Sequence, residues 1–202
     1  MIFVRDKGRM CNNILQYGHL YAWARANNRK TVSMRFAYKY QYFHICRTRW
    51  HNFFVYLLAK YAAKLKLIPT VTFDTPDEDL TEKENAMRHG CLVAEGWFAR
   101  WYELFLQYKP EILSLFAFDS HIENKVTSLL EGSSKEGVIR LGVHIRRGDY
   151  ATWNNGRFLY DDEQMVNLIR QFILLHPSKR VLIYICGNDP KLNKQAYSEA
   201  FG

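Results

Sequence analysis

The segment LGVHIRRGDY, residues 141–150, carries charged side chains of the types that bind phosphate groups. Arginine presents a fixed fork of N–H donors that matches phosphate oxygens, and it stays charged. Because alternate residues of a strand share a face, we expect His144 and Arg146 to point one way and Arg147 the other. One arginine would face a ligand, while its neighbour would stabilise the turn through an ion pair with Asp149. A purely structural turn of ion pairs is the competing interpretation.

The elements around this motif are predicted to form a parallel α/β unit. Residues 138–145 are nearly continuous in apolar side chains, which is typical of a strand in a parallel sheet covered on both faces. Asp161 or Asp162 can cap a helix that runs to about Leu175, and residues 181–187 predict the next strand. Ligands of open parallel sheets bind beyond the carboxyl ends of strands, so the motif lies where a ligand is expected.

A first α/β unit is predicted at the start of the chain. Residues 2–4 are a short apolar run, residues 13–28 have helical spacing of apolar side chains, and residues 31–36 resemble a second strand. Strand, helix and strand in this order predict a βαβ unit.

The loop of this first unit has the features of an anion site. Gly8 and Arg9 precede the predicted helix, and Asn12 or Asn13 can cap its start. A helix N-terminus offers free N–H groups to an anion, and glycine permits close approach. The loop matches neither the phosphate loop of ATPases nor the dinucleotide fingerprint.

The middle of the chain divides the two units. Residues 50–67 and 121–132 predict helices, residues 91–96 a strand, and residues 72–85 a polar, acidic loop. The small, polar stretch GSSKEG is the best linker, so we place the domain boundary between residues 134 and 135. We therefore expect an α/β protein with two Rossmann-like lobes, the second of which is incomplete.

The net charge of +8 is concentrated near the N-terminus. Residues 1–73 carry 13 lysines and arginines against one acidic residue, Asp6. Residues 38–66 mix these bases with aromatic side chains, which is compatible with an ordinary helix, a peripheral membrane or partner surface, or nucleic-acid binding. Since no nucleic-acid motif accompanies them, we expect no nucleic-acid partner.

No apolar run approaches the ~20 residues of a membrane span, and no signal peptide is evident. We therefore expect a cytoplasmic protein, with membrane association through residues 38–66 left open.

The four cysteines form no paired motif and are expected to be reduced and mostly buried. The acidic triplet at 77–79 is read as a solvated loop, so no metal is expected.

Four pieces of the sequence resemble the α-1,2-fucosyltransferases and the wider superfamily with α-1,6- and protein O-fucosyltransferases. VHIRRGDY is similar to the family motif H-x-R-R-x-D, and GRMCNNILQYGHLYAWARANN resembles its N-terminal glycine-asparagine stretch. VAEGWFARWYELF and VLIYICGNDPKLNKQAY are similar to two further segments, in the same order. Family residues kept in the N-terminal stretch are Gly8, Asn12, Gln16 and Tyr17. Departures from the pattern are Cys11, Asn13 and Ala99.

The resemblance implies a GT-B architecture, with residues 1–134 as the acceptor-side lobe and residues 135–202 as the start of the donor-binding lobe. It implies inverting transfer of fucose from GDP-fucose to a hydroxyl of a glycan acceptor, with an α-1,2 linkage and neither metal nor other cofactor. The family also has a later segment that completes the donor pocket, so the resemblance implies a chain truncated at its C-terminus and doubtful activity of these 202 residues alone.

The resemblance also implies residue roles. Arg146 would be the catalytic residue on the donor diphosphate, and His144 would lie near the nucleotide. Arg147 and Asp149 match the motif, and the loop from Gly8 through Arg9 and Asn12 to Asn13 would lie at the cleft. Glu95 and Asp149 are the candidate general bases. The alternatives are a non-catalytic guanine-nucleotide-binding protein or a GT-B transferase that uses another nucleotide sugar.

Overall fold

The computed structural model describes residues 1–76, 78–130 and 136–202. The chain forms two compact units, Met1–Lys125 and Val126–Gly202. The predicted boundary between residues 134 and 135, with most of the predicted linker, lies outside the described residues. Each unit contains a parallel sheet with helices, which confirms the α/β class.

The first unit is built on a four-stranded parallel sheet. Its strands are β1 (Ile2–Arg5), β2 (Thr31–Ser33), β3 (Thr70–Thr72) and β4 (Leu92–Glu95). The spatial order is β2-β1-β4-β3, and every pair is parallel. The central strands β1 and β4 are buried because their sequences, IFVR and LVAE, are almost entirely apolar. The carboxyl ends of all four strands therefore meet at one edge of the sheet.

Among the described residues, the α-helices that lie wholly in this unit are α1 (Met10–Ala26), α2 (Phe53–Lys64), α3 (Thr81–Arg88), α4 (Tyr102–Gln107) and α5 (Lys109–Leu115). The helix α6 (Ser120–Leu130) begins in the first unit and ends in the second. The helix α1 connects β1 to β2, so the predicted βαβ unit is confirmed. Tyr17, Leu20 and Trp23 of α1 are fully buried in the main core. The helix is also covered by α4, since the His19 and Phe105 rings lie with their centroids 4.6 Å apart.

The prediction of a loop over residues 72–85 was wrong in its second part, because the helix α3 begins inside this acidic stretch. Its signal in the sequence is weak, since Met87 is the one buried side chain among its described residues. The strand β3, which ends at the first residue of this stretch, was also missed. It is a three-residue edge strand with mostly exposed side chains, so no apolar alternation marks it.

The second unit has two parallel strands, β5 (Val138–Ile145) and β6 (Arg180–Gly187). Helix α7 (Asp162–Leu174) connects them, and α8 (Lys194–Phe201) follows β6. As predicted, Asp161 caps α7, and Gln164 completes a reciprocal capping box.

One face of β5 is packed and the other is open. Val143 and Ile145 are buried against Val166 and Ile169 of α7 and Tyr197 of α8. The alternating residues on the opposite face, namely Arg140, Gly142 and His144, are exposed. The expectation that both faces of this strand are covered is therefore wrong within the part of the chain that the structure describes.

Candidate functional site

His144 and Arg146 line the same cavity at the carboxyl end of β5. This cavity has a volume of about 500 Å³, and Arg147 is not part of its wall. The strand alternation continues one residue beyond Ile145, which carries the Arg146 side chain to the side of His144. The predicted separation of the two arginines is thus confirmed.

Arg146 forms an ion pair with Asp149 inside the turn that follows β5. Its Nη2 lies 3.0 Å from Asp149 Oδ2, and its Nε and Nη2 also contact Asp149 Oδ1 at 3.4 and 3.3 Å. The guanidinium carbon lies 4.6 Å from the ring centroid of Tyr150. The hydrogen bond that Arg146 donates to Asp149 raises the pKa of Arg146 above its usual value. The expectation that Asp149 would tie down the neighbouring arginine is therefore wrong: Asp149 holds the arginine that faces the cavity.

Arg147 is held on the other side of the strand by three partners. Its Nη2 donates to Asp162 Oδ1 at 2.6 Å, and its Nε donates to the carbonyl oxygen of Tyr160 at 2.8 Å. Its Nη1 lies 3.5 Å from Asp189 Oδ2. The hydrogen bond that Asp162 accepts from Arg147 lowers the pKa of Asp162 below its usual range. Arg147 therefore connects the turn after β5 to α7 and to the loop after β6. Of the two arginines, Arg146 is the one that lines the cavity.

Aromatic side chains complete the cavity, and the sequence reasoning missed them. Tyr150 stacks on Trp153 with ring centroids 5.2 Å apart, and Trp153 packs on Phe158 at 5.4 Å. Tyr160 also lines the cavity. Their signal was present in the sequence as four aromatic residues within residues 150–160, directly after the arginine motif. Such rings offer flat apolar faces to a base or a sugar ring.

The loop before α1 lies in the first unit and is held by polar side chains of the helix. Asn13 Nδ2 donates to the carbonyl oxygen of Lys7 at 2.9 Å, and Gln16 Nε2 donates to the same oxygen at 2.7 Å. Both side chains are buried. Asn13 thus shapes the loop, although its Oδ1 has no partner among the described residues.

Gly8 and Arg9 of this loop and Asn12 in the first turn of α1 are exposed. Gly8 has a φ of +87°, a conformation that favours glycine. The helix begins at Met10 with Arg9 as the N-cap residue, so the prediction that Asn12 or Asn13 caps it is wrong. These exposed residues could meet an anion at the helix N-terminus, whereas His144 to Asp149 belong to the second unit.

Both candidate general bases are paired with arginines. Glu95 ends β4, and its Oε2 accepts a hydrogen bond from Arg5 Nη1 at 3.0 Å, across the paired strands β1 and β4. Asp149 is paired with Arg146 as described above. Either carboxylate would have to exchange its arginine for a substrate hydroxyl before it could accept a proton.

The described residues contain no cluster of three histidine, cysteine or acidic side chains that could hold a metal ion. Asp77 of the acidic triplet lies outside them.

All four cysteines are free, and only Cys46 is buried, so the expectation of mostly buried thiols is wrong. In the parts of the chain that are described, no helix is both long and apolar enough to cross a bilayer.

No protein-family model matches the chain. The galactoside 2-α-L-fucosyltransferase Sec1 of Mus musculus is 28% identical to it over 155 residues, which cover 74% of this chain and 39% of the mouse protein. The chain thus spans well under half the length of this curated relative.

A crystal structure of the NodZ α-1,6-fucosyltransferase, soaked with GDP-fucose, aligns with 98% of this chain and 74% of its own. The sequence identity is 11% and the TM-score is 0.48, which is too low to establish a common fold. The similarity in sequence is therefore to the mouse protein, whose name states a fucosyltransferase.

Proposed function

We propose that this chain is part of a fucosyltransferase of GT-B architecture that uses GDP-fucose as donor and a hydroxyl of a glycan as acceptor. The observation that carries the proposal is the cavity at the end of β5, where Arg146 and His144 lie together beside stacked aromatic rings. A guanidinium and flat apolar rings in one cavity suit a ligand that combines a diphosphate with a base and a sugar. The similarity to the mouse enzyme supports fucose as the transferred sugar.

In the proposed reaction an acceptor hydroxyl attacks the anomeric carbon of fucose, and the bond to the diphosphate breaks with inversion. The electron pair of that bond leaves with GDP, so negative charge grows on the β-phosphate. Arg146 would offset this charge, and loss of one such preorganised donor typically costs about 10²–10³ in rate. The proposal needs no metal ion, because the fixed guanidinium supplies the positive charge.

The remaining roles extend the same proposal. His144 binds next to the nucleotide, and the exposed residues of the Gly8 loop, Arg9 and Asn12 among them, bind substrate from the acceptor-side unit. Glu95 or Asp149 accepts the proton of the attacking hydroxyl. The α-1,2 linkage is proposed from the resemblance of the arginine motif and from the linkage that the name of the mouse enzyme states.

Residues 38–66 are proposed to contact a membrane surface peripherally. The helix α2 turns Phe54, Leu58 and Tyr61 outward, with exposed fractions of 81%, 70% and 51%. Ala59 and Val55 pack on the opposite side against the sheet. Exposed Lys60 and Lys64 flank the apolar stripe. Apolar side chains between lysines are typical of helices that lie in the interface of an anionic membrane.

The donor class is tested by thermal unfolding with GDP, GDP-fucose, UDP and ADP. A ligand that binds only the folded state stabilises it by RT ln(1 + [L]/Kd), about 2.7 kcal/mol at a concentration of 100 Kd. We expect guanine nucleotides to raise the melting temperature most, and Arg146→Ala to abolish the rise. Arg140→Ala removes an exposed arginine of the same strand outside the cavity and serves as the matched control.

The alternatives predict different rankings. If UDP or ADP raises the melting temperature most, the result would contradict GDP-fucose as the donor. It would favour a GT-B transferase that uses another nucleotide sugar. Stabilisation by GDP without turnover of GDP-fucose, in a chain extended to the length of its relative, would favour a non-catalytic guanine-nucleotide-binding protein. If guanine nucleotides stabilise the Arg146→Ala chain as much as the parent chain, Arg146 does not bind the diphosphate.

A further inference from the structure

A second cavity, in the first unit, is lined by four cationic side chains. It has a volume of about 520 Å³ and lies at the carboxyl ends of β1 and β2, with α2 as one wall. Arg5 and Arg35 come from the strand ends, whereas Lys60 and Lys64 come from α2. Pockets of this size hold small molecules. None of these residues belongs to the resemblance that suggests the enzyme.

The arginines of this cavity are held in place. Arg35 Nε donates to the carbonyl oxygen of Asp6 at 3.3 Å, and its Nη1 donates to Tyr38 Oη at 2.8 Å. Arg5 is paired with Glu95 at 3.0 Å. Fixed guanidinium groups lose little conformational freedom when they bind an anion, which favours binding.

The two lysines add positive charge that no carboxylate cancels. Lys60 and Lys64 lie one turn apart on α2, and both are exposed. Neither has a salt-bridge partner among the residues that the structure describes. Like charges one turn apart on a helix repel each other, so an anion between them relieves that repulsion.

The one carboxyl in the cavity wall is in an unusual state. Asp6 is 2% exposed, and its Oδ2 accepts a hydrogen bond from Ser33 Oγ. Its Oδ1 is buried and has no partner within the described residues. Burial raises the pKa of Asp6 to about 7, despite the hydrogen bond from Ser33 and the charge of Arg35. Near neutral pH this carboxyl is therefore partly protonated, and a protonated Oδ1 can donate to a ligand.

Aromatic rings form the apolar part of the wall. Tyr38 and Tyr56 lie with ring centroids 4.4 Å apart, and both line the cavity. Lys60 Nζ lies 5.7 Å from the Tyr56 ring. The cavity thus offers a cationic part for an anion and ring faces for a carbon skeleton.

We propose that the cavity lined by Arg5, Arg35, Lys60 and Lys64 binds the phosphate group of a phosphate ester. Phosphate fits this charge better than a carboxylate does, because it carries up to two negative charges and three free oxygens in a phosphate ester. The phosphate belongs either to a free phosphorylated metabolite or to a lipid headgroup that reaches the cavity beside α2. This inference goes beyond the proposed function and stands without it.

Titration calorimetry with inorganic pyrophosphate tests the site. The titrations use a chain with Arg146→Ala, so that the cavity at β5 does not contribute. We expect Lys60→Ala combined with Lys64→Ala to weaken pyrophosphate binding by about 10- to 100-fold, since two charge-assisted hydrogen bonds are lost. The matched control is Lys30→Ala combined with Lys109→Ala, which removes the same charge from exposed residues outside the cavity. The control is expected to bind within about twofold of the parent chain, since exposed distant charges are screened by salt.

Absence of pyrophosphate binding by the parent chain would overturn the site. An equal loss of pyrophosphate affinity in the Lys30→Ala and Lys109→Ala control would also overturn it, because the effect would then come from net charge. Folding of each variant is checked by its melting temperature. If the chain with Lys60→Ala and Lys64→Ala is folded and still binds pyrophosphate like the parent chain, the proposal is also overturned.

The source of the phosphate is distinguished with vesicles. Flotation is measured with vesicles that contain phosphatidic acid, whose headgroup is a phosphate monoester, and with phosphatidylcholine vesicles. Loss of both pyrophosphate and phosphatidic acid binding in the Lys60→Ala and Lys64→Ala double variant, with the control unchanged, supports the site and assigns it to a headgroup. Loss of pyrophosphate binding alone supports the site and assigns it to a soluble ester.

Discussion

Arg147 and Asp162 join the end of β5 to the first turn of α7, through a contact of 2.6 Å between Nη2 and Oδ1. The hydroxyl of Tyr197 donates to the same carboxylate oxygen at 2.8 Å, so α8 is tied to the same point. Burial and the hydrogen bond to Asp162 together raise the pKa of Tyr197 to about 12. The Asp162 carboxylate thus connects the end of β5, the start of α7 and the helix α8.

Arg147→Ala is expected to destabilise the second unit by about 2–4 kcal/mol, because it leaves the carboxylates of Asp162 and Asp189 without their cation. The Arg147 side chain is only 15% exposed, so water replaces it poorly. Hydrogen exchange read by mass spectrometry should show lost protection in peptides from β5 and α7. Arg140→Ala, on the exposed face of the same strand, should leave protection unchanged. Equal protection in both variants would contradict a structural role for Arg147.

Asp149→Asn is expected to tighten GDP binding by about two- to fivefold, the range typical of a lost exposed ion pair. The carboxylate now occupies the donors of Arg146, and a diphosphate must displace it. Fluorescence or calorimetric titration with GDP measures the change. Glu163→Gln, an exposed residue of α7, removes the same charge away from Arg146 and should have little effect. Weaker GDP binding by the Asp149→Asn chain would show that Asp149 positions Arg146 instead of competing for it.

The elements that carry the arginine motif could be predicted because their signals are local. The apolar run of β5 and the capping residue Asp161 each lie within a few residues of what they specify. The separation of Arg146 from Arg147 followed from strand alternation alone. A single wrong assignment of the strand register would have exchanged their roles.

The rest of the site depends on contacts distant in sequence. Asp189 reaches Arg147 only because β6 pairs with β5 in parallel, which places the two loops together. The aromatic stack depends on a turn in which Asn154 and Asn155 both have positive φ values. Asparagine tolerates this conformation, but its presence in the sequence does not specify which rings meet. These relationships required the folded structure.

The buried carboxyl of Asp6 is expected to make stability depend on pH. Its pKa is about 7 in the folded chain, and the usual value is near 3.8. Between these values the folded state holds a proton that the unfolded state has released, so the stability contribution is full below pH 3.8 and is lost as the pH rises to about 7. Asp6→Asn has no such proton. Its free energy of unfolding relative to the parent chain should therefore grow by a few kcal/mol, about 2 or more, from pH 4 to pH 7.

Urea denaturation of both chains at several pH values measures this difference. The buried His19 and His51 act in the opposite direction, since burial lowers the pKa of each to about 4. Their stability contribution is lost as the pH falls from 6.5 towards 4. They are present in both chains and cancel in the difference. A difference that stays constant across the pH range would contradict a raised pKa for Asp6.

Phe54→Ser combined with Leu58→Ser tests the outward face of α2. These side chains are 81% and 70% exposed, so their replacement removes no core contact and the melting temperature should change little. Each buried apolar side chain contributes about 1.5–3 kcal/mol, so the pair should weaken binding to phosphatidylglycerol vesicles by at least about tenfold. The matched control is Leu174→Ser combined with Leu175→Ser, two equally exposed leucines of the second unit. Equal vesicle binding by both pairs would show that α2 does not contact the membrane. Because this pair leaves Lys60 and Lys64 in place, it separates apolar insertion from phosphate binding in the neighbouring cavity.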